Sequence, residues 1–490
     1  MTLDISEKSS MDVVDFAKSK GRRRTVYISS TLAATGGFVT GYDVGAIASI
    51  LVLPTFLDAF PDLDTNLQSV LLMVTLAAGA IGAFTSGFFC DHLSRRYTIV
   101  LGAFIFVIGL ILQIIGLKTG VLFTGRIIAS FGGGMITCTI PLYHSEIAPA
   151  DIRGRLISLF SVMVSAGTLV GYFVTFGTSY LTSNWSWRAV WLIHVIVCAF
   201  LGIFAWFLPF SPRWLIDHDR HEEALENLSS LRELPVEHHQ IQDEYHEIKA
   251  ELELERTFGR RTYMELFGKG NRMRTYMSAG LSAGSALTGT QLATLFQAVS
   301  YYAPAIFKNA GLSDVSTSLA ATGGMGAAAL LGTCVTVMWL DKFGRRVYLI
   351  SGAFTLFASM MIIGAMFSCY AETDSDGNIL MNSISARNVV IAFLFIFNFV
   401  YNATLEPISF VLPAEVYNMR CRAKGLAFVT GLWWICAIFT TLIMPPLSAI
   451  YPAAPYYLFG GCSFVAAIMM CTFPETKDLT LEQMEQLFSK

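Results

Sequence analysis

Apolar runs of about twenty residues, the length needed to cross a bilayer, recur twelve times along the 490 residues of the chain. The first six lie near 25–53, 68–90, 97–117, 121–144, 156–181 and 188–209, and a polar break follows. Six more lie near 275–306, 315–340, 346–368, 387–413, 425–449 and 455–473. A chain so patterned has one solution, a bundle of membrane-spanning helices, because lipid satisfies no backbone polar group. Composition agrees: 14% of the residues are charged, too few to cover a soluble surface of this size. The net charge of −3 and the lack of a basic face argue against nucleic acid as a partner. The nine cysteines are scattered without CxxC spacing and read as small apolar packing residues rather than metal ligands or disulfides. The polar N-terminus has no apolar core of a cleaved signal peptide.

An even number of spans puts both termini on one side. Of the 33 Lys and Arg, Lys118, Arg188, Lys308 and Arg387 fall in the opposite loops and Arg126 lies within a span. The other 28 mark the termini and the 210–274 segment as cytoplasmic. The expected organisation is a tail over 1–24, a six-helix bundle over 25–209, a linker over 210–274, a second bundle over 275–473 and a tail over 474–490. The linker, rich in Glu, Leu and Lys and interrupted by Pro235, reads as short amphipathic helices, either a plain connector or a packed latch on the inner face.

The two sets of six repeat one another. GFFCDHLSRR after span 2 carries Asp91, Arg95 and Arg96; VMWLDKFGRR after span 8 carries Asp341, Arg345 and Arg346. PLYHSEIAPADIRGRL at the end of span 4 sets Glu146 seven residues before Arg153, and LPAEVYNMRCRAKGL sets Glu415 seven before Arg422. Spans 6 and 12 end in LPFSPRWL and FPETKDL. Matching sites in matching order imply two related six-helix halves. Positive-inside topology with snorkelling accounts for the arginines, but not for acids at equivalent sites; a charge network that gates the inner face accounts for both.

These motifs resemble the sugar porter family of the major facilitator superfamily, its fungal members above all, over almost the whole chain after about residue 25. The resemblance implies an all-α membrane protein, a major facilitator fold of twelve helices in two halves with an intracellular helical linker, working by alternating access. It implies that Asp91, Arg95, Arg96, Glu146, Arg153, Asp341, Arg345, Arg346, Glu415 and Arg422 hold the inner side closed while the outer side is open. It further matches Asp43, the single charged residue of the first span, and Arg126 of the span-4 GR to the acid and arginine of proton-moving porters. An Asp held by an Arg takes up a proton only when the pair separates, which makes a switch coupled to conformation. A static ion pair joining spans 1 and 4 is the plainer alternative. Gly132, Gly133 and Gly134 offer close helix contacts nearby.

The substrate positions depart from the family pattern. The span-5 glutamine is Ser161, the QQ-x-x-G-x-N of span 7 becomes QLATLFQ with Gln291 and Gln297, and the span-8 asparagine is Ala329. Phe410 stands for the span-10 tryptophan, Trp433 for the span-11 asparagine ahead of the kept Trp434, and Thr40 for the aromatic before GYD. Tyr301 and Tyr302 fit an outer-gate aromatic pair. Sugars need several amides or carboxylates, so the loss points to a smaller or less hydroxylated ligand, to a sugar bound differently, or to a sensor that has lost transport. The short tail after span 12 weighs against the sensor. Ser94 replaces the glycine of DxxGRR, and Phe210 replaces the glutamate of PESPR, which predicts a looser inner gate on that side.

The expected function is transport of a sugar, polyol or similar small polar solute by proton symport, with facilitated transport, sensing or a non-sugar cargo as alternatives. The expected partners are that solute, protons and the lipid bilayer. The protein is expected to act as a monomer in the plasma membrane and not as an enzyme. It is expected to need no cofactor or metal, and no GxxxxGK[ST] is present for ATP.

Overall fold

The computed structural model describes residues 23–116, 118–256, 262–268, 270–287, 315–373, 379–381 and 383–475. The first set of helices comprises α1 (Arg24–Ile50), a short α2 (Pro54–Ala59), α3 (Thr65–Leu93), α4 (Arg95–Ile115), α5 (Thr119–Ile147), α6 (Arg153–Thr178) and α7 (Trp185–Ala205). Next come α8 (Pro212–Asp217), α9 (His221–Arg232), α10 (His239–Arg256) and a 3-10 turn over Tyr263–Phe267. The second set is α11 (Arg272–Leu287), α12 (Val315–Phe343), α13 (Arg345–Tyr370), α14 (Ile384–Val416), α15 (Met419–Ile450) and α16 (Ala454–Cys471). Ten of the described helices are long and apolar enough to cross a membrane. The 27-residue α1 and the described start of the seventh span, α11, bring the set to twelve. Between α13 and α14 lies an antiparallel hairpin, β1 (Ala371–Thr373) with β2 (Ile379–Met381), which no sequence pattern announced.

Short polar caps start these helices where the apolar runs begin. The Asp64 carboxylate accepts from Leu67 N at 2.7 Å, and Asn418 accepts from Cys421 N at 3.2 Å, each satisfying a first-turn donor. Two large cores form, one from α1 to α7 and one from α11 to α16. Cys90, Cys138, Leu142 and Ile157 of the first set join the second core, so the halves are packed together near these residues. Glycines set how close the helices come. A Cβ on Gly41 would lie 1.9 Å from the Val164 carbonyl, which locks α1 against α6. Between the halves, Gly79 sits under Trp434 and Gly431 under Phe84, joining α3 to α15.

The segment between the halves forms its own small core of Trp214, Leu215, Leu228, Ile241 and Tyr245. It is tied down at several points. Arg232 makes two hydrogen bonds to Glu244, at 2.9 and 2.6 Å, and donates to the Ile147 carbonyl at 2.9 Å. Trp214 Nε1 donates to the Asp91 carbonyl at 3.1 Å, and the Tyr263 hydroxyl reaches the Phe84 carbonyl of α3 at 2.7 Å. Glu265 receives Arg420 at 2.6 and 3.0 Å. That hydrogen bonding holds the Glu265 carboxyl below the usual carboxylate range, against the opposing pull of burial. A depressed carboxyl stabilises the fold above its ordinary pKa of about 4.3, and the contribution is lost as pH falls through the lowered value. Glu265→Gln is therefore expected to lower the melting temperature at neutral pH. The gap from the parent should close when the two are melted across pH 5 to 3.

Ser94 and Gly344 hold equivalent places between α3 and α4 and between α12 and α13, and they share a backbone: φ 87° and ψ 160° for Ser94, φ 84° and ψ 152° for Gly344. This region belongs to glycine, and a side chain there stores roughly 1–3 kcal/mol of strain. The serine recovers a little by accepting from Tyr97 N at 3.4 Å. Ser94→Gly is expected to stabilise the purified protein by about 1–2 kcal/mol in a denaturation midpoint.

Candidate functional site

The Asp43 and Arg126 side chains meet. Nη1 donates to Oδ1 at 2.8 Å and Nη2 to Oδ2 at 2.9 Å, a two-pronged pair that fixes both planes. Arg126 is fully buried, while the Asp43 side chain keeps 13% exposure. Two residues not singled out from the sequence complete the group. Gln113 Oε1 accepts from Arg126 Nη1 at 3.4 Å. His194 of α7 directs Nδ1 at Asp43 Oδ1 across 3.9 Å, and its Nε2 donates to the Val39 carbonyl at 3.0 Å. With Nε2–H committed to a carbonyl, Nδ1 of the neutral ring is the acceptor nitrogen facing Asp43. The ring is clamped between Tyr42 and Phe106, with centroids 4.7 and 5.0 Å away. Their signal was present as a lone His and a lone Gln in apolar runs, but nothing in their spacing joined them to Asp43.

Thr40, about one helical turn before Asp43, and Val44, the residue after it, line a central cavity between the halves, about 720 Å³ including its mouth. Ala329, Phe410, Trp433 and Trp434 line it as well. Trp433 and Trp434 stand edge to face, centroids 5.2 Å apart, and Phe410 meets Phe160 in the same way at 5.2 Å. Ser161 is buried, and its hydroxyl approaches the carboxyl of Glu406 without closing a hydrogen bond. Glu406 and Asn402, both in α14 and both lining the cavity, were missed by the sequence reading. An acid inside an apolar run was as visible at 406 as at 43, but the EPISF segment was read for its phenylalanine. Gln291, Gln297, Tyr301 and Tyr302 lie outside the described residues.

The repeated charges gather at the end of the bundle where α8 to α10 pack. Arg95 donates from Nε and Nη2 to Glu146 Oε1 at 3.1 and 2.8 Å. At the equivalent site Arg345 Nη2 donates to Glu415 Oε1 at 3.3 Å. Arg96 donates to the Leu208 carbonyl past α7 at 3.2 Å, and Arg346 to the Cys471 carbonyl at the end of α16 at 2.6 Å. In the second half Glu475 also accepts from the backbone N–H groups of Arg345 and Arg346 at 3.0 and 3.1 Å. In the first half its counterpart is Phe210. The Arg96 guanidinium lies 4.6 Å from the centre of the Phe210 ring, and Arg220 lies 5.5 Å from it. This corner therefore keeps a contact that the lost glutamate did not foretell: cation–π stacking stands in place of the acid.

Other charges cross between the halves. Lys424 Nζ reaches Asp91 Oδ2 at 3.5 Å. Arg153 is attracted by Glu415 and Arg422 by Glu146, and both arginines feel the like charge of Arg213 of α8. The Asp341 side chain lies outside what is described.

Twelve helices in two like halves, a central cavity between them, and a buried acid–arginine pair beside it define a membrane carrier of the major facilitator fold. Residues 29–488 match the family described as sugar (and other) transporter, and the chain belongs to that family. It is 29% identical to a major facilitator-type transporter of Aspergillus rugulosus over 96% of this chain and 88% of the relative. It is 30% identical to a low-affinity glucose transporter of Saccharomyces cerevisiae over 96% of this chain and 83% of that one. An arabinose–proton symporter of Escherichia coli is 29% identical over 95% and 93% of the two chains. The solved structure of the proton:xylose symporter XylE bound to 6-bromo-6-deoxy-D-glucose shares the fold, with a TM-score of 0.80 and 23% identity over 95% of this chain and 99% of that one. The protein is a multi-pass membrane transporter and not an enzyme.

Proposed function

We propose that the protein moves a small polar solute, a sugar, polyol or relative of these, together with a proton, in the plasma membrane with both termini in the cytoplasm. The single observation that carries the coupling is the Asp43–Arg126 pair on the helix that also lines the cavity. A proton and Arg126 compete for the same two carboxylate oxygens. When the proton wins, Arg126 keeps Gln113 as an acceptor, and α1 loses its tie to α5. Thr40 and Val44 then carry that change to the cavity wall, so the proton on Asp43 and the solute in the cavity bias the same element. His194 Nδ1, the acceptor nitrogen of the neutral ring, stands where a protonated Asp43 carboxyl can donate to it once Arg126 lets go.

Two halves, 25–209 and 275–473, rock about the central cavity in this reading, with the charges around Glu146 and Glu415 as the cytoplasmic gate and 210–274 as a latch over it. Names of relatives support sugar and proton as cargo: glucose for the yeast protein, arabinose and a proton for the bacterial one. Uptake of radiolabelled sugars, polyols and small amines into transporter-null cells, with and without a proton gradient, tests the reading. Concentrative uptake of one of them that collapses with the gradient is expected. Uptake that only equilibrates makes the protein a facilitator, and no uptake of any probe overturns the transport reading for these classes.

A further inference from the structure

The described residues that line the cavity offer many acceptors and few free donors. Its threonines spend their protons on backbone: Thr40 Oγ1 donates to the Gly37 carbonyl at 3.0 Å, Thr137 to Gly133 at 2.8 Å and Thr168 to Val164 at 3.0 Å. Each then shows the cavity only oxygen lone pairs. Asn402 is spent as well. Its amide donates to the Asn398 carbonyl and side-chain oxygen at 2.8 and 2.9 Å, and its own oxygen receives Ser165 at 3.4 Å.

Glu406 is the exception that decides the chemistry. It is 8% exposed, lines the cavity, and its Oε2 has no hydrogen-bond partner. No Lys, Arg or His is among the described residues that line the cavity, and no charged group acts on Glu406 among the described residues. The helix around it is built to hold this place. Pro407 has no N–H, so the Ala403 carbonyl lacks its helical partner, and Thr336 Oγ1 supplies one at 2.7 Å. A buried acid without a counter-charge stays neutral until a cation arrives to pair with it, and the described residues that line the cavity offer no such cation. Trp433, Trp434, Tyr401 and Phe410 line the same cavity. Indole rings attract a cation within about 6 Å of their centres. A carboxylate, an aromatic wall and a ring of hydroxyl acceptors together complement an ammonium.

We propose that the central site takes a small polar solute bearing a protonated amine, with the ammonium seated between the Glu406 carboxylate and the Trp433–Trp434 wall. Hydroxyls of such a solute use the lone pairs of Thr40, Thr137 and Thr168, and the unpartnered Trp434 Nε1–H donates to one of them. The class covers amino sugars and aminated polyols. It narrows the transport reading above and rests on it for the cavity's being the substrate site. It also accounts for the missing family amides at Ser161, Ala329 and Trp433, which would serve a ligand presenting many neutral hydroxyls.

Matched probes isolate the amine. N-methyl-D-glucamine and D-glucitol share their polyol chain, and D-glucosamine and D-glucose share their ring. Binding of all four to the purified full chain in lipid nanodiscs, by calorimetry at neutral pH, is expected to favour each amine over its neutral partner at least tenfold. Glu406→Gln keeps shape and loses charge, and is expected to bring each pair within about twofold. Equal binding within the pairs of the parent protein, binding of neither member, or a preference that survives Glu406→Gln overturns the proposal. The first of these needs no variant, so a misfolded Glu406→Gln cannot shield the idea. Counterflow of D-glucitol or D-glucose in proteoliposomes without amine preference would sink this inference and leave the carrier reading standing. Amine-selective binding without movement of any probe would keep the site and sink the carrier reading.

Discussion

Asp43→Asn is expected to abolish accumulation of substrate against its gradient while leaving exchange of labelled for unlabelled substrate within about threefold of the parent. The amide keeps the shape of the carboxylate and one oxygen that can accept from Arg126, but it can neither bind a proton nor balance a charge. Arg126 is fully buried, and its Nη1 and Nη2 each have an Asp43 oxygen at 2.8 and 2.9 Å. Removing one partner of a buried pair typically costs 3–5 kcal/mol. Part of that loss is recovered here, because the amide oxygen and Gln113 Oε1 still accept. A protein released from the need to load a proton still carries substrate both ways. Concentration inside proteoliposomes under an imposed pH gradient, set beside counterflow at equal pH, separates the two functions. If Asp43→Asn still concentrates substrate, the coupling role is wrong. If both activities fall with the melting temperature, the pair is a strut between α1 and α5 and nothing more.

That pair was legible because each of its members breaks an apolar run, and lipid makes such a break expensive enough to need a partner. The twelve helices were legible because bilayer thickness sets the length of each apolar run, and the twofold repeat because Asp91, Arg96, Glu146 and Arg153 recur in order as Asp341, Arg346, Glu415 and Arg422. What could not be read was how neighbouring helices are turned toward one another. Periodicity places His194 and Gln113 on α7 and α4, but only packing turns His194 toward Asp43 and Gln113 toward Arg126. Phe210 was read as the loss of an acid. The stacking of Arg96 at 4.6 Å depends on a ring direction that no motif records. Ser94 shows the opposite case, since its departure from the glycine pattern was plain, and the φ of 87° supplies the reason that the pattern exists.

The second large effect is expected at the gate. Glu146→Gln with Glu415→Gln should shift the resting protein toward an opening on the side of α8 to α10. Between the halves at that end, Arg153, Arg213 and Arg422 repel one another. Glu146 and Glu415 stand among them and also hold Arg95 and Arg345 at 2.8 and 3.3 Å. In the closed arrangement both acids answer to arginines of both halves, while after opening water can solvate every charge. Neutralising the acids therefore raises the closed state more than the open one. Each 1.4 kcal/mol of that difference moves the ratio tenfold. The chain carries its own reporters. Cys90 and Cys138 are 0% and 1% exposed, and both belong to the core that the two halves share. Labelling of Cys138 by N-ethylmaleimide, followed by mass spectrometry, is expected to quicken at least tenfold in the double variant while net transport slows. Cys198, buried among first-half residues, is expected to stay protected and so distinguishes opening from unfolding. Unchanged labelling of Cys138 with full transport would reduce these acids and arginines to markers of topology. Faster labelling of Cys138 and Cys198 together would make them props of the fold. Only selective exposure at the shared core fits a gate that breaks and reforms once in each cycle.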